Sequence, residues 1–210
     1  MIKKLSLLTL LSLATLSASD ALKPIIQVGY DFGGTALATV EHPESYYSYA
    51  ESNTIRAGQG LNLELGASLS NPNSNMELQF LVGYKFDQDS ASNGDVVWDV
   101  IPFTALAMFS SNRWKFGGGV TYHLNPKIDG TFSGYDNNGD YFKDSIHDEY
   151  ESTFGGVVEV QYKITNSATF GLKGTFIEYK LKQDPSIIAK GNSVGLNFSY
   201  TFGNERSEFR

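Results

Sequence analysis

Apolar and polar residues alternate with a period of two over long stretches of this chain. The clearest stretch is 194–202, where Val194, Leu196, Phe198, Tyr200 and Phe202 alternate with small or polar residues. The same alternation runs through 55–69, 76–86, 114–124 and 154–164. It is the period of a half-buried β-strand, since successive side chains point to opposite faces of a sheet. Several stretches approach or exceed the ~9–11 residues that a tilted transmembrane strand needs, whereas soluble strands usually have ~5–6.

Three further segments complete a set of about eight strands. Residues 24–39 place Ile26, Val28 and other apolar side chains outward. In 170–181 the apolar positions change phase near Ile177, and a β-bulge there would explain the change. Residues 96–109 are apolar on both alternations, so the sequence leaves the faces of this strand unassigned.

The connections between these strands alternate in length. The long and intermediate ones are 40–53, 87–95, 125–152 and 183–192, and the short ones are 70–75, 110–113 and 165–167. Such sorting is typical of outer-membrane barrels, which keep short turns on the periplasmic side and longer loops outside. The pattern therefore predicts an all-β, transmembrane, antiparallel up-and-down β-barrel of about eight strands, with both termini in the periplasm.

The N-terminus has the organisation of a secretory signal peptide. Lys3 and Lys4 precede an apolar run from Leu5 to Leu16, and small residues follow. Twelve residues are too few for a spanning helix, which needs ~20, and no later stretch is long and apolar enough to be one. We expect residues 1–19 to be a signal peptide cleaved between 18 and 21. The barrel domain then occupies 20–210, with strands within about 24–202 and a short tail at 203–210.

Aromatic residues cluster near the expected strand ends, where membrane barrels carry girdles of such rings. Trp98, Tyr84, Phe86 and Tyr122 are expected near the outer rim. Trp114, Phe170, Tyr162, Tyr200 and Phe202 are expected near the periplasmic rim.

The closing segment Gly195-Leu196-Asn197-Phe198-Ser199-Tyr200-Thr201-Phe202 carries a family resemblance. With the strand rhythm over about 24–202, it resembles the small eight-stranded outer-membrane barrels of the OmpA and OmpX type, including the opacity-protein group. The resemblance implies a Gram-negative bacterium and location in the cell outer membrane. It also implies contact with outer-membrane lipids and lipopolysaccharide, and insertion by the barrel-assembly machinery. The eight residues after Phe202 depart from the family pattern, in which the aromatic-ended segment usually ends the chain.

The charge and residue content exclude several function classes. The chain carries a net charge of −7, which makes nucleic acid a poor partner. It has no cysteine, so disulfides, thiolate catalysis and cysteine-ligated metals are excluded. No sequence feature indicates a cofactor.

Charged residues on the inward alternation predict a polar network in the lumen. They are Arg56, Glu64, Glu77, Lys85, Lys115, Glu159, Lys163 and Lys173. An eight-stranded barrel is just wide enough for side chains to fill it, so these charges are expected to pair and plug it. The alternative is a narrow polar pore for small solutes.

Catalysis and metal binding have weaker support in the sequence. The three histidines, His42, His123 and His147, have no adjacent serine of the kind seen in outer-membrane lipid A deacylases, so a lipid-modifying enzyme is less favoured and we expect no catalytic residues. Asp136, Asn138 and Asp140 have the spacing of oxygen ligands in a calcium loop, but the match fails beyond them. A hydrated acidic loop is the favoured interpretation, and divalent cations held near the lipid surface are a hypothesis.

The first long connection offers a candidate contact surface. Tyr46, Tyr47 and Tyr49 are expected to be exposed there, and tyrosine is favoured in recognition surfaces. The leading functional interpretation is therefore a structural and surface-interaction protein that presents extracellular loops, with a host or cell-surface ligand as a possible partner.

Overall fold

The computed structural model describes residues 22–42, 51–70, 74–91, 94–135 and 141–203. The expected signal peptide and residues 204–210 of the tail lie outside these ranges. The thirteen described strands are β1 (Leu22–Gly33), β2 (Ala36–His42), β3 (Glu51–Arg56), β4 (Gly60–Ser70), β5 (Met76–Ala91), β6 (Gly94–Ser111), β7 (Trp114–Tyr135), β8 (Tyr141–Glu149), β9 (Thr153–Lys163), β10 (Ala168–Phe176), β11 (Glu178–Lys180), β12 (Ile188–Lys190) and β13 (Ser193–Thr201). In the described part of the chain, no helix is long and apolar enough to cross a membrane.

Eight of these strands form a closed ring. The order around it is β1, β4, β5, β6, β7, β9, β10 and β13, and β13 pairs with β1 to close it. All the pairings in the ring are antiparallel. Each ring strand therefore pairs with the next ring strand along the chain, and the prediction of an eight-stranded up-and-down barrel is confirmed.

The two faces of the ring differ in chemistry. Each strand exposes large apolar side chains on the outside: Val28, Leu63, Phe80, Phe103, Val120, Val158, Leu172 and Leu196. Each also buries polar side chains inside: Gln27, Glu64, Gln79, Thr104, Thr121, Glu159, Lys173 and Asn197. An apolar exterior around a polar interior is the arrangement of a transmembrane β-barrel, because lipid tails cannot solvate polar groups.

The sheet continues beyond the apolar band at one end. This extension consists of the hairpins β2–β3, β7–β8 and β11–β12 together with the adjoining ends of β5 and β6. Much of the predicted long connections 40–53, 87–95 and 125–152 is therefore strand rather than loop. The predicted first strand is also divided, because Gly33 and Gly34 have φ values of 120° and 91° between β1 and β2.

Polarity is inverted inside the extension. Its interior is an apolar cluster, the cap, formed by Ile55, Ala57, Val96, Trp98, Ile128, Tyr150, Ile177, Tyr179, Leu181 and Ala189. The predicted position of Trp98 in the outer girdle is wrong, since its side chain is fully buried. Tyr84, Trp114, Phe170 and Phe202, by contrast, are exposed on the outside.

The cap explains the two strands whose patterns were ambiguous. In β6, Val96, Trp98 and Val100 face inward, while Phe103 and Phe109 face outward in the apolar band. Leu106 and Met108 also face inward, in a second buried apolar cluster with Ile25, Leu81 and Val157, so the inward face of β6 is largely apolar along its whole length. Around Ile177 the side chains keep alternating without a break, from exposed Phe176 to buried Ile177 and Tyr179. The expected bulge at Ile177 is therefore wrong. The apolar positions change face because the strand leaves lipid and enters a water-exposed extension with its own core.

A β-bulge is present instead in β7, where it pairs with β6. Ile101 pairs with Leu124, but Asp99 pairs with Lys127, so β7 carries one extra residue. Asn125 lies in this insertion with a φ of 50°. The bulge changes which residues of β7 face inward, from His123 below it to Ile128 above it.

Candidate functional site

Three ion pairs cross the barrel interior. Lys115 Nζ lies 2.6 Å from Glu77 Oε2, Lys173 Nζ lies 2.7 Å from Glu64 Oε2, and Lys85 Nζ lies 2.7 Å from Asp31 Oδ2. All six side chains are buried. Such pairing is what a closed interior demands, because an isolated buried charge is far more costly than a paired one.

Neutral polar groups extend each pair into a small cluster. The Ser68 hydroxyl and the Gln79 amide each donate to Glu77 Oε1 at 2.7 Å. The Thr104 hydroxyl lies 3.4 Å from Glu64 Oε1 and 3.1 Å from the Thr121 hydroxyl. Lys85 also donates to the Gly58 carbonyl oxygen at 2.5 Å. Together the three clusters involve side chains on six strands of the ring and fix the positions of the interior side chains.

Glu159 has a different environment from the other buried acids. Its Oε1 accepts hydrogen bonds from the side-chain amides of Gln27, Gln161 and Asn197, at 2.9, 2.7 and 2.7 Å. Its Oε2 is buried and has no hydrogen-bond partner in the described structure. No ion pair within the described ranges includes this carboxylate.

The structure places six of the eight predicted lumen charges in the closed interior: Glu64, Glu77, Lys85, Lys115, Glu159 and Lys173. The other two are only partly buried. Arg56 lies in β3 of the extension, where it donates to the Gly34 carbonyl oxygen at 3.3 Å, and Lys163 lies at the end of β9.

Sequence reasoning did not name Asp31, the partner of Lys85. The signal was present, because the alternation that places Val28 outside also places Asp31 inside. The sequence analysis listed charges from the other strands and left those of the first strand unexamined.

Little free volume remains between these side chains. A cavity of about 10 Å³, about what one water molecule needs, lies between Asp31, Glu64, Lys85, His123 and Lys173. Trp98, Tyr150 and Tyr179 lie above it, with ring centroids 5.5 Å apart for Trp98–Tyr150 and for Trp98–Tyr179. The polar interior is thus filled by side chains, and the cap closes it at the end that carries the extension.

His123 lies where the polar interior meets the cap. Its Nδ1 lies 2.6 Å from the Tyr179 hydroxyl, and both side chains are buried. The contact joins β7 to the β11–β12 hairpin and gives two buried polar groups a partner. The prediction that the chain is not an enzyme stays a prediction.

Charged side chains form a belt on the outer surface of the extension. Lys127 Nζ lies 2.7 Å from Asp129 and 3.7 Å from Asp99, and His147 contacts Asp129. Glu149 lies 3.5 Å from His147 and 2.7 Å from Lys182. The hydrogen bond from Lys127 lowers the pKa of Asp129, and the hydrogen bond with Asp129 raises the pKa of His147. The belt links β6, β7, β8 and the β11–β12 hairpin through opposite charges.

Several predicted surface residues lie outside the described residues. They are Tyr46, Tyr47 and Tyr49 in the first connection, and Asp136, Asn138 and Asp140 between β7 and β8. Among the residues that the structure does describe, no group of three or more His, Asp or Glu side chains is arranged to hold a metal ion.

Comparisons with known proteins give the following findings. No protein-family model matches the chain, and no curated protein matches its sequence. Similar solved structures include neisserial surface protein A, with 11% identity over 86% of this chain and 97% of that one, at a TM-score of 0.43. The outer membrane protease OmpT from Escherichia coli shows 9% identity over 88% and 95% of the two chains, at a TM-score of 0.39. The N-terminal β-barrel domain of Pseudomonas aeruginosa OprF shows 10% identity over 85% and 97%, at a TM-score of 0.29. The barrel assignment itself rests on the closed ring of strands and its two faces.

Proposed function

We propose that this chain is an outer-membrane protein of a Gram-negative bacterium whose filled barrel anchors a rigid extracellular β-structure used for surface contacts. The supporting observation is the inversion of polarity from β10 into β11, from an apolar outside to an apolar inside. The outward residues of β6 change in the same direction, from Phe103 to Asp99 and Asp95. A strand extension with its own apolar core stands in water and holds its shape, whereas a simple loop would not. The barrel then serves as the membrane anchor.

The filled interior argues for anchoring rather than transport. Three ion pairs and the Glu159 cluster occupy the lumen, and Trp98 and Tyr179 lie over its mouth. A conducting path would have to break these contacts, and breaking one buried ion pair costs about 3–5 kcal/mol. We therefore favour the plugged barrel over the narrow polar pore.

Planar-bilayer recordings with the purified folded protein test this choice. The proposed anchor gives no discrete conductance steps. Repeated unitary steps that change in size in Glu64→Gln and not in Glu178→Gln, a change outside the lumen, would contradict the plug and support the pore.

The β7–β8 hairpin supplies a specific contact surface. In the described structure, β8 pairs with β7 on one side, while the β11–β12 hairpin reaches only its last residues. The Lys182 N–H donates to the Glu149 carbonyl oxygen, so the backbone groups of Glu149 point away from β7. The backbone N–H and C=O groups of Ser145 and His147 also point away from β7, because every second residue of a strand directs these groups toward the same neighbouring position.

A partner can therefore add a strand along β8. Such addition uses main-chain hydrogen bonds for affinity and neighbouring side chains for specificity. The segment 125–152 contains seven acidic residues and two lysines, so a basic extended segment is favoured as the partner. Tyr46, Tyr47 and Tyr49 are proposed as a second contact surface on the same side of the membrane.

Binding of the purified barrel to host cells or extracellular matrix tests the surface role. Ser145→Pro removes an N–H that points away from β7 and donates to the Asp144 carboxylate at 2.8 Å, so it should leave the β7–β8 ladder intact. An added strand would take this N–H over from Asp144, and the proline variant cannot offer it. We expect it to weaken binding about tenfold or more, while Ser145→Ala, which keeps the N–H, binds like the parent protein.

Two outcomes of this experiment bear against the proposal. Absence of any binding by the folded parent protein contradicts the surface role as a whole. Equal binding by Ser145→Pro and Ser145→Ala, together with loss on replacing Tyr46, Tyr47 and Tyr49 by alanine, rejects β8 and assigns the contact to the first connection.

A further inference from the structure

The buried charges of the described barrel interior do not balance. Lys85, Lys115 and Lys173 each form one short ion pair, with Asp31, Glu77 and Glu64 respectively. Glu159 is a fourth buried acid, and no ion pair among the described residues includes it. Lys173 faces Glu159 in the β9–β10 register, but its Nζ lies 2.7 Å from Glu64. One negative charge is therefore left over in a closed space.

Several polar atoms around Glu159 also lack a partner. The amide nitrogens of Gln27 and Asn197 both donate to Oε1, which leaves the oxygen of each amide free. The Gln27 Oε1, Asn197 Oδ1, Ser199 Oγ and Glu159 Oε2 atoms are all buried and have no hydrogen-bond partner in the described structure. Gln27 and Ser199 are register partners on β1 and β13. The four side chains are 1–5% exposed and come from β1, β13 and β9, with β10 between the last two.

We propose that this cluster binds one small alkali cation such as Na⁺ inside the barrel wall. One carboxylate and neutral amide or hydroxyl oxygens form a hard donor set, which suits hard cations rather than soft metals. Amide oxygens can replace the hydration shell of an alkali ion, as backbone carbonyl oxygens do in ion channels. The bound cation compensates the leftover charge and gives the unpartnered oxygens a common partner.

The charge count excludes a divalent cation, which would leave an uncompensated positive charge, since only one carboxylate is available. A proton on Glu159 is the competing occupant. It would remove the charge and, with the Ser199 hydroxyl, supply two donors for the two amide oxygens. The two occupants differ in their response to salt, because a protonated Glu159 gives the same stability in every alkali chloride.

Cation-dependent heat stability tests the proposal. The folded protein in detergent is heated in NaCl, KCl or LiCl, each exchanged for tetramethylammonium chloride at constant ionic strength, and unfolding is followed by circular dichroism. The Tm should rise with the concentration of at least one small cation and not with tetramethylammonium, because a ligand bound only to the folded state stabilises it by mass action. Glu159→Gln should abolish this dependence, while Glu178→Gln, an exposed acid on β11, should keep it.

Ser199→Ala provides a second variant that keeps every charge. It should shift the cation concentration needed for half of the Tm rise upward several-fold. Equal Tm values in all four salts for the parent protein would overturn the proposal. So would a cation dependence that survives unchanged in Glu159→Gln, because the ion would then act elsewhere.

Discussion

At the scale of single residues, the interior of the barrel is governed by the cost of an unpaired charge. Lys85 illustrates this, since its Nζ contacts both Asp31 and the Gly58 carbonyl oxygen while the whole side chain is buried. Both side chains are buried, so bulk water cannot take the place of either partner. The pair is therefore expected to behave as a unit, with a much larger penalty for losing one member than for losing both.

Lys85→Met should destabilise the folded barrel by about 3–5 kcal/mol, because it leaves the Asp31 carboxylate buried without its counter-ion. Asp31→Asn combined with Lys85→Met should recover part of this loss. Urea unfolding in lipid vesicles, followed by tryptophan fluorescence, measures both variants. Additive losses in the double variant would show that the two side chains do not act as a pair.

His147 makes the stability of the charged belt on the extension dependent on pH. The hydrogen bond and charge of Asp129 raise the pKa of His147 above its ordinary value of 6.5. Below the unfolded-state pKa of about 6.5 the protonated histidine contributes its full stabilisation, which is lost as the pH rises through the higher folded-state pKa. The parent protein should therefore exceed His147→Gln in Tm below pH about 6 and lose this advantage above pH about 8.

Thermal unfolding of the parent protein and His147→Gln at a series of pH values from about 6 to 8 tests this pH dependence. His147 is largely exposed, so salt should weaken the difference at low pH. An advantage of the parent protein that stays constant with pH would show that the contact with Asp129 does not involve the charged imidazole.

At the scale of single strands, the sequence was most informative where one environment surrounds the whole strand. Residues 194–202 and 76–86 lie within the apolar band, and their alternation gave both strand and faces. β6 crosses from lipid into the extension, so its outward residues change from Phe109 and Phe103 to Asp99 and Asp95. Its inward residues stay largely apolar throughout, from Met108 and Leu106 to Trp98 and Val96. Alternation alone cannot separate that arrangement from an irregular strand. For this reason the faces of β6 could not be assigned from the sequence, and a β-bulge was wrongly predicted at Ile177.

The bulge in β7 depends on a residue that tolerates a left-handed backbone. Asn125 has a φ of 50°, a conformation that costs most residues other than glycine about 1–2 kcal/mol. Asn125→Val should therefore destabilise the protein by about that amount, and Asn125→Gly should not. Chemical unfolding of the two variants measures the difference. Equal stability would show that the backbone relaxes at this position.

Trp98 tests whether the cap is an apolar core in its own right. Trp98→Ala removes a fully buried ring that packs against Tyr150 and Tyr179, and such changes cost about 3–5 kcal/mol. The loss should appear as faster protease cleavage within the extension, while the ring of eight strands keeps its heat-modifiable mobility on gels. Trp98→Phe should show a smaller effect. Loss of the barrel together with the extension would show that the two fold as one unit.

At the scale of the whole molecule, a membrane anchor and a water-exposed structure share the same strands. The barrel and most of the lumen charges could be predicted, because both follow from a single alternation and from connection lengths. The cap could not, since Trp98, Tyr150 and Tyr179 come from three separate segments that only the closed ring brings together. The Glu159 cluster escaped prediction for the same reason, because Gln27, Asn197 and Gln161 lie far apart in the sequence.

The most direct test of a lipid-embedded barrel that continues into water follows β10 and β11 residue by residue. The chain has no cysteine, so single cysteines carrying a spin label can be placed at 170, 172, 173, 176, 178, 179 and 180 in the reconstituted protein. Electron paramagnetic resonance then compares collision with oxygen, which enriches in lipid, against a water-soluble nickel complex. The fold predicts lipid exposure at 170, 172 and 176, water exposure at 178 and 180, and protection from both reagents at buried 173 and 179. Water exposure of all the outward positions would contradict the membrane barrel.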